Sequence, residues 1–209
     1  MKSIGALVGL FAMTCQAQEA LVAVSHDRGS GVILPGETAR VSMVVSWSAP
    51  TWPPPVPFPL YYTFAGLAGD LRATGDMGVA SNPTSVFYYA PSPSPLTQLG
   101  TPVGGSIVGY DIAMLPPALV GTPHPSQGNW GGVNALEFDW TAPSVSQPTW
   151  IDFAFTPRTL APNIRLYVTV GPEFVEADTT FTSARILVLP APGVPVVLVA
   201  GLGLRRRRR

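Results

Sequence analysis

Several stretches of the chain alternate apolar and polar residues with period two, the mark of strands that bury one face. Thr38 to Ser48 places Ala39, Val41, Met43, Val45 and Trp47 on one side and Arg40, Ser42, Ser46 and Ser48 on the other. Asn134 to Thr141 turns Leu136, Phe138 and Trp140 inward and leaves Glu137 and Asp139 outward. Trp150 to Thr156 aligns Ile151, Phe153 and Phe155, and Ile164 to Val170 aligns Ile164, Leu166, Val168 and Val170 against Arg165, Tyr167 and Thr169. Thr180 to Leu189 reads as a final strand. Further strands are predicted at Leu21–Ser25, Gly31–Leu34, Pro59–Phe64, Ser85–Ala90 and Ser106–Met114, with turn pairs such as Pro35-Gly36, Gly104-Gly105 and Gly131-Gly132 between strands. No stretch sustains a helical period, and strands do not alternate with helices. An all-β chain follows, folded as an antiparallel β-sandwich.

Composition narrows the class. Hydrophobic residues make up 46% of the 209 positions, enough for a core, whereas charged residues make up only 11%, against roughly a quarter in an ordinary soluble domain. Proline occurs 24 times, which excludes long helices and coiled coils. Pro50–Pro59, Pro91–Pro95 and Pro116–Pro125 read as stiff connections, because proline lacks the donor a central strand needs. The formal net charge is zero, yet Lys2 and Arg205, Arg206, Arg207, Arg208 and Arg209 hold half of the twelve basic residues. The six basic residues that remain face twelve acidic ones between Glu19 and Asp178, so the body is acidic by six charges. Such a body repels phosphate backbones, and no nucleic-acid partner is expected. The basic tip suits anionic head groups on a cytoplasmic face.

Both ends read as addresses. Lys2, the apolar run Ile4–Met13 and Cys15-Gln16-Ala17 make the three parts of a secretory signal peptide, with cleavage after Ala17. Cys15 is the only cysteine; acylation there is the alternative to cleavage, and after cleavage the chain carries no thiol. At the other end, Val194 to Leu204 is an apolar run followed by the five arginines, which stay on the cytoplasmic side because Arg is costly at a bilayer centre. These 11 residues span roughly 16 Å as a short helix, against about 30 Å of hydrocarbon. The run is a transient hold on the inner membrane rather than a permanent anchor. Residues 1–17, 18–188 and 189–209 are thus signal peptide, β-sandwich and terminal signal.

The order of Pro190-Ala191-Pro192-Gly193, an apolar segment and an Arg cluster resembles the PEP-CTERM sorting signal of Gram-negative bacteria, with alanine where that family has glutamate. The resemblance implies recognition by an exosortase-type membrane enzyme and delivery to the cell surface or extracellular matrix, with exopolysaccharide as a partner. The opening strand, the segment Leu34-Pro35-Gly36-Glu37-Thr38 and the long alternating strand after it resemble the start of a cohesin-like domain. The body is expected to be immunoglobulin-like or cohesin-like.

Chemistry is sparse. His26 and His124 are the only histidines, and neither stands in a ligand or nucleophile pattern. GxSxG, HExxH, P-loop and dinucleotide-binding glycine patterns are all missing. No catalytic residue, cofactor or metal is predicted. A serine triad is not local in sequence, so a secreted hydrolase stays open as an alternative. Glu137 and Asp139 share a strand face roughly 7 Å apart, but on the wet side. Asp70, Asp76 and Asp111 could contribute to a calcium site without matching a known spacing. Trp52, Tyr61, Tyr62, Tyr88, Tyr89 and Trp130 fall in or near loops. Of these, Trp52, Tyr61, Tyr88 and Trp130 could stack on sugar rings and make the chain a carbohydrate-binding module. Trp47, Trp140 and Trp150 fit buried positions. The leading expectation is an exported, non-enzymatic protein with a structural or adhesive role.

Overall fold

The computed structural model describes residues 19–48, 62–85, 98–114, 132–168 and 174–191. The alternating segments form strands that face one another across a single core. The smaller sheet holds β1 (Glu19–His26), β3 (Thr38–Trp47), β5 (Val79–Thr84), β8 (Val133–Thr141) and β12 (Asp178–Thr182) in the order β12-β1-β3-β8-β5. The larger sheet holds β2 (Val32–Ile33), β4 (Tyr62–Ala73), β9 (Thr149–Pro157), β10 (Arg165–Val168), β11 (Phe174–Glu176) and β13 (Ala184–Val188) in the order β11-β10-β4-β9-β13-β2. The hairpin of β6 (Gln98–Val103) and β7 (Ser106–Ala113) adds to β4 of that sheet.

The expected faces hold. Ala39, Val41, Met43, Val45 and Trp47 are all buried, as are Leu136, Phe138, Trp140, Ile151, Phe153, Phe155, Ile164 and Leu166. The sheets interlock at their centre. The Trp140 and Phe153 rings meet edge to face at 5.1 Å between centroids, and the fully buried Tyr110 donates its hydroxyl to the Ala135 carbonyl of the facing sheet at 3.0 Å. Ala135 is the extra residue of a bulge, since Leu136 pairs with Met43 while Asn134 pairs with Val44. Two adjacent residues of β8 therefore point inward.

Several strand boundaries depart from those expected. Of the expected strand Pro59–Phe64, residues 59–61 lie outside the described residues, and β4 runs on from Tyr62 to Ala73 through Gly66 and Gly69, which serve close packing: a Cβ at Gly69 would meet the Thr156 carbonyl oxygen at 2.3 Å. Val79–Thr84 is a strand at the sheet edge, where Pro83 is tolerated. Of the expected strand Ser85–Ala90, only Ser85 lies within the described residues, and it is not in a strand. β6 and the short β11 add strands that proline, glycine or brevity hid. The expected final strand Thr180–Leu189 is two strands in different sheets. Phe181, partly buried, packs inward against Phe155 with centroids 5.9 Å apart, and Ile186 is fully buried. An odd separation cannot put both residues inward on one period-two strand. The chain crosses between the sheets at Ser183 instead. Among the described strands, the pairing is antiparallel apart from β1 with β12 and β2 with β13, which pair in parallel.

Candidate functional site

The outer face of the smaller sheet is polar and internally paired. Arg40 on β3 donates to Asp139 at 2.8 Å and to Glu137 at 3.3 Å on the neighbouring β8. Asn82 donates to the second oxygen of Asp139 at 2.9 Å, and Asn134 donates to Glu137 at 2.8 Å. The Asn82 amide first and the Arg40 guanidinium second hold the Asp139 carboxyl below its usual range. Both carboxylates are thus tied to one guanidinium on a half-exposed strand face.

The aspartates considered for calcium are engaged elsewhere. Asp70 accepts the Gly109 backbone N–H at 2.8 Å and the Arg72 guanidinium at 2.8 Å; the N–H makes the larger contribution to lowering its pKa. Asp76 accepts the Ser106 hydroxyl at 2.6 Å, and Asp111 accepts from Arg158 at 2.7 Å. Among the described residues, no three acidic, histidine or cysteine side chains are placed to hold a metal ion. His26 bonds through Nε2 to the Arg185 carbonyl at 3.0 Å and ties β1 to β13. A depression of about 620 Å³ beside the start of β1 is lined by Glu19, Leu21, Ser46, Trp47, Asp178 and Thr180, with no histidine in it.

Trp150 is the main correction. It is 51% exposed rather than buried. Period two requires this, because Ile151, Phe153 and Phe155 point inward. The Arg185 guanidinium stacks on the indole at 5.6 Å from the ring centroid. Asp152 grips that guanidinium at Nε and Nη2, at 2.5 and 3.2 Å, and raises its pKa. Register places Trp150 opposite Leu187, and Leu187 beside Val32. Val32 and Leu187 are half-buried on the same outer face.

The apolar row has a second rank. Leu189 continues the ladder past β13 by donating its N–H to the Ile33 carbonyl at 3.0 Å. Continued register sets Leu189 next to Leu34, which is 39% exposed, and opposite the exposed Pro148. Leu34 stands where it does because Pro35-Gly36 turns the chain there. Gly36 adopts φ 81°, and the Glu37 N–H closes the turn on the Leu34 carbonyl at 3.1 Å. Six apolar side chains thus form one patch at the edge of the larger sheet, bordered by Arg185, Asp152 and Glu37. The strand parity that exposes Trp150 was a signal available in the sequence. The joining of Leu34 and Val32 to it was not, because the parallel pairing of β2 with β13 brings together positions about 155 residues apart.

The remaining sequence-predicted site residues fall elsewhere. Pro190 and Ala191 end the described chain beside this patch. Pro192, Gly193, Arg205 to Arg209, Ala17, Trp52, Tyr61, Tyr88, Trp130 and His124 lie outside the described residues, as do the three proline-rich runs. Among the described residues, no helix is long and apolar enough to cross a membrane.

No protein-family model matches the sequence, and no curated protein matches it. Solved structures do. The seventh ScaB type I cohesin of Pseudobacteroides cellulosolvens superposes with a TM-score of 0.50 at 10% identity, covering 84% of this chain and 96% of the cohesin. The body has a cohesin-like fold. CaCohA2 of Clostridium acetobutylicum gives a TM-score of 0.48 at 13% identity over 86% of this chain and 96% of its own. The second type II cohesin module of the cellulosomal adaptor ScaA scaffoldin of Acetivibrio cellulolyticus gives 0.43 at 11% over 85% and 96%. At these identities the likeness of the cohesin-like body to its neighbours is one of fold.

Proposed function

We propose that the chain is an exported cell-surface or extracellular-matrix protein, with a cohesin-like body that serves a structural or adhesive, non-enzymatic role. The observation that carries this reading is the cohesin-like sandwich, whose outer faces, among the described residues, offer paired-charge surfaces and an apolar patch rather than a convergent reactive cleft. The signal peptide ending at Ala17 supports export. The sequence of Pro190-Ala191-Pro192-Gly193, the apolar run and Arg205–Arg209 supports transient retention at the inner membrane and release by an exosortase-type enzyme, with exopolysaccharide as the surrounding partner. Mass spectrometry of the exported protein tests both ends together. The expected termini are Gln18 at the front and a residue before the arginine cluster at the back. A protein still ending in Arg209 removes the processing step, and an intact leader removes export. The carbohydrate-binding alternative rests on Trp52, Tyr61, Tyr88 and Trp130. A glycan array on their alanine variants tests it, and unchanged binding removes their role.

A further inference from the structure

We infer that the apolar patch formed by Trp150, Leu187, Leu189, Leu34 and Val32 is a lipid-contact face that seats the cohesin-like body on the bilayer while the C-terminal segment holds the chain there. This rests on the membrane-held reading above and adds to it a second point of attachment on the folded body.

Three observations carry the inference. The first is chain reach. The described chain ends at Ala191, next to the patch, and the apolar run begins at Val194. Three residues extend no further than about 10 Å. Leu189 is five residues from Val194, so wherever Val194 meets the hydrocarbon, Leu189 lies within roughly 17 Å of it. The second is insufficiency of the tail. Eleven apolar residues reach roughly half of a hydrocarbon core as a helix, so a further apolar contact contributes to retention. The third is side-chain type. Trp150 is half exposed on a rigid strand with Arg185 stacked on it, and an indole beside a guanidinium suits the head-group layer, where aromatic rings and arginines settle. The leucines and Val32 lie on the same face, in position to enter the acyl boundary.

Charge decides which lipid matters. Arg185 is paired with Asp152, and Glu37 borders the patch. The body as a whole is acidic. Binding is therefore driven by apolar burial and does not need anionic lipid, unlike attachment through a basic surface.

The test uses the full chain with vesicles of zwitterionic phosphatidylcholine that carry bromine on the upper acyl carbons. Bromine quenches nearby tryptophans, and comparison with Trp150→Phe isolates the contribution of this ring. The expected result is flotation of the chain with the vesicles, quenching that falls in Trp150→Phe, and about tenfold weaker partitioning of the double variant Leu34→Ser/Trp150→Ser. Both positions are exposed, so the fold survives. Val79→Ser, an exposed apolar position on the smaller sheet, should partition as the parent does. A chain that floats with Trp150 unquenched overturns the lipid face and leaves the tail's hold intact. A chain that does not float overturns both. A photocrosslinker at position 150 that captures a membrane protein in cells, without lipid quenching, overturns the lipid face in favour of a protein contact.

Discussion

Gly105 sits where the β6–β7 hairpin closes against the smaller sheet, and Gly105→Ala tests how tightly that closure is built. A methyl group there would lie 1.9 Å from the Met77 carbonyl oxygen and 2.7 Å from Trp140 Nε1, whereas ordinary contact begins at 3.4 Å. The Met77 carbonyl is backbone and cannot rotate away. It is also the acceptor of the Trp140 indole N–H at 3.0 Å, and Trp140 is fully buried against Phe153 at the centre of the core. Opening the contact by roughly 1.5 Å strains the packing by about 1–3 kcal/mol. It also strands a buried N–H, at about 1–3 kcal/mol more. The expected loss is about 4 kcal/mol, a large share of the ~5–15 kcal/mol that holds a domain of this kind together. Urea unfolding of the purified chain, followed by tryptophan emission, should show the midpoint falling by roughly 2 M. Gly29→Ala is the control, since a Cβ there meets nothing within 4 Å and the backbone is not left-handed. A Gly105→Ala midpoint within about 0.5 M of the parent would refute the lock.

Other consequences follow from the same structure. Tyr110→Phe removes the one hydroxyl that bridges to the Ala135 carbonyl and should destabilise by about 1–3 kcal/mol, read from the same urea titration. Ser106→Ala should cost a similar amount, because the buried Ser106 oxygen accepts the Ala73 N–H at 2.9 Å while its hydroxyl donates to Asp76. The folded state lowers the Asp70 carboxyl, chiefly through the Gly109 N–H. Its stabilising contribution is therefore present above the unfolded carboxyl pKa and is lost as pH falls through the lowered value. Asp70→Asn should flatten the acid limb of a stability profile recorded between about pH 2 and 6; an unchanged limb would show that Asp70 plays no part in acid unfolding.

Much of this protein is written locally. Period-two alternation fixed which side of β3, β8 and β9 faces inward, and Pro35-Gly36 and Gly104-Gly105 marked real turns. The all-β sandwich and its cohesin-like opening followed from those segments, because burial of one strand face is a property each strand carries by itself. The order of strands is not such a property. Nothing in Val32-Ile33 announces that it pairs in parallel with Leu187-Val188, or that Ser106 will close on Asp76. The strand expected to end at Phe64 runs on through Gly66 and Gly69, and only the approach of the Ile112 and Thr156 carbonyls shows these glycines to be packing sites inside it. Trp150 lay between the two regimes. Its parity pointed outward, its hydrophobicity pointed inward, and the pairing of Arg185 with Asp152 supplied a partner that lets an exposed indole rest on a guanidinium. Side-chain parity is a one-dimensional fact that the amino-acid order contains. Partners across a sheet are chosen in three dimensions, where chain segments far apart compete for the same edge, and only the folded molecule records which of them won.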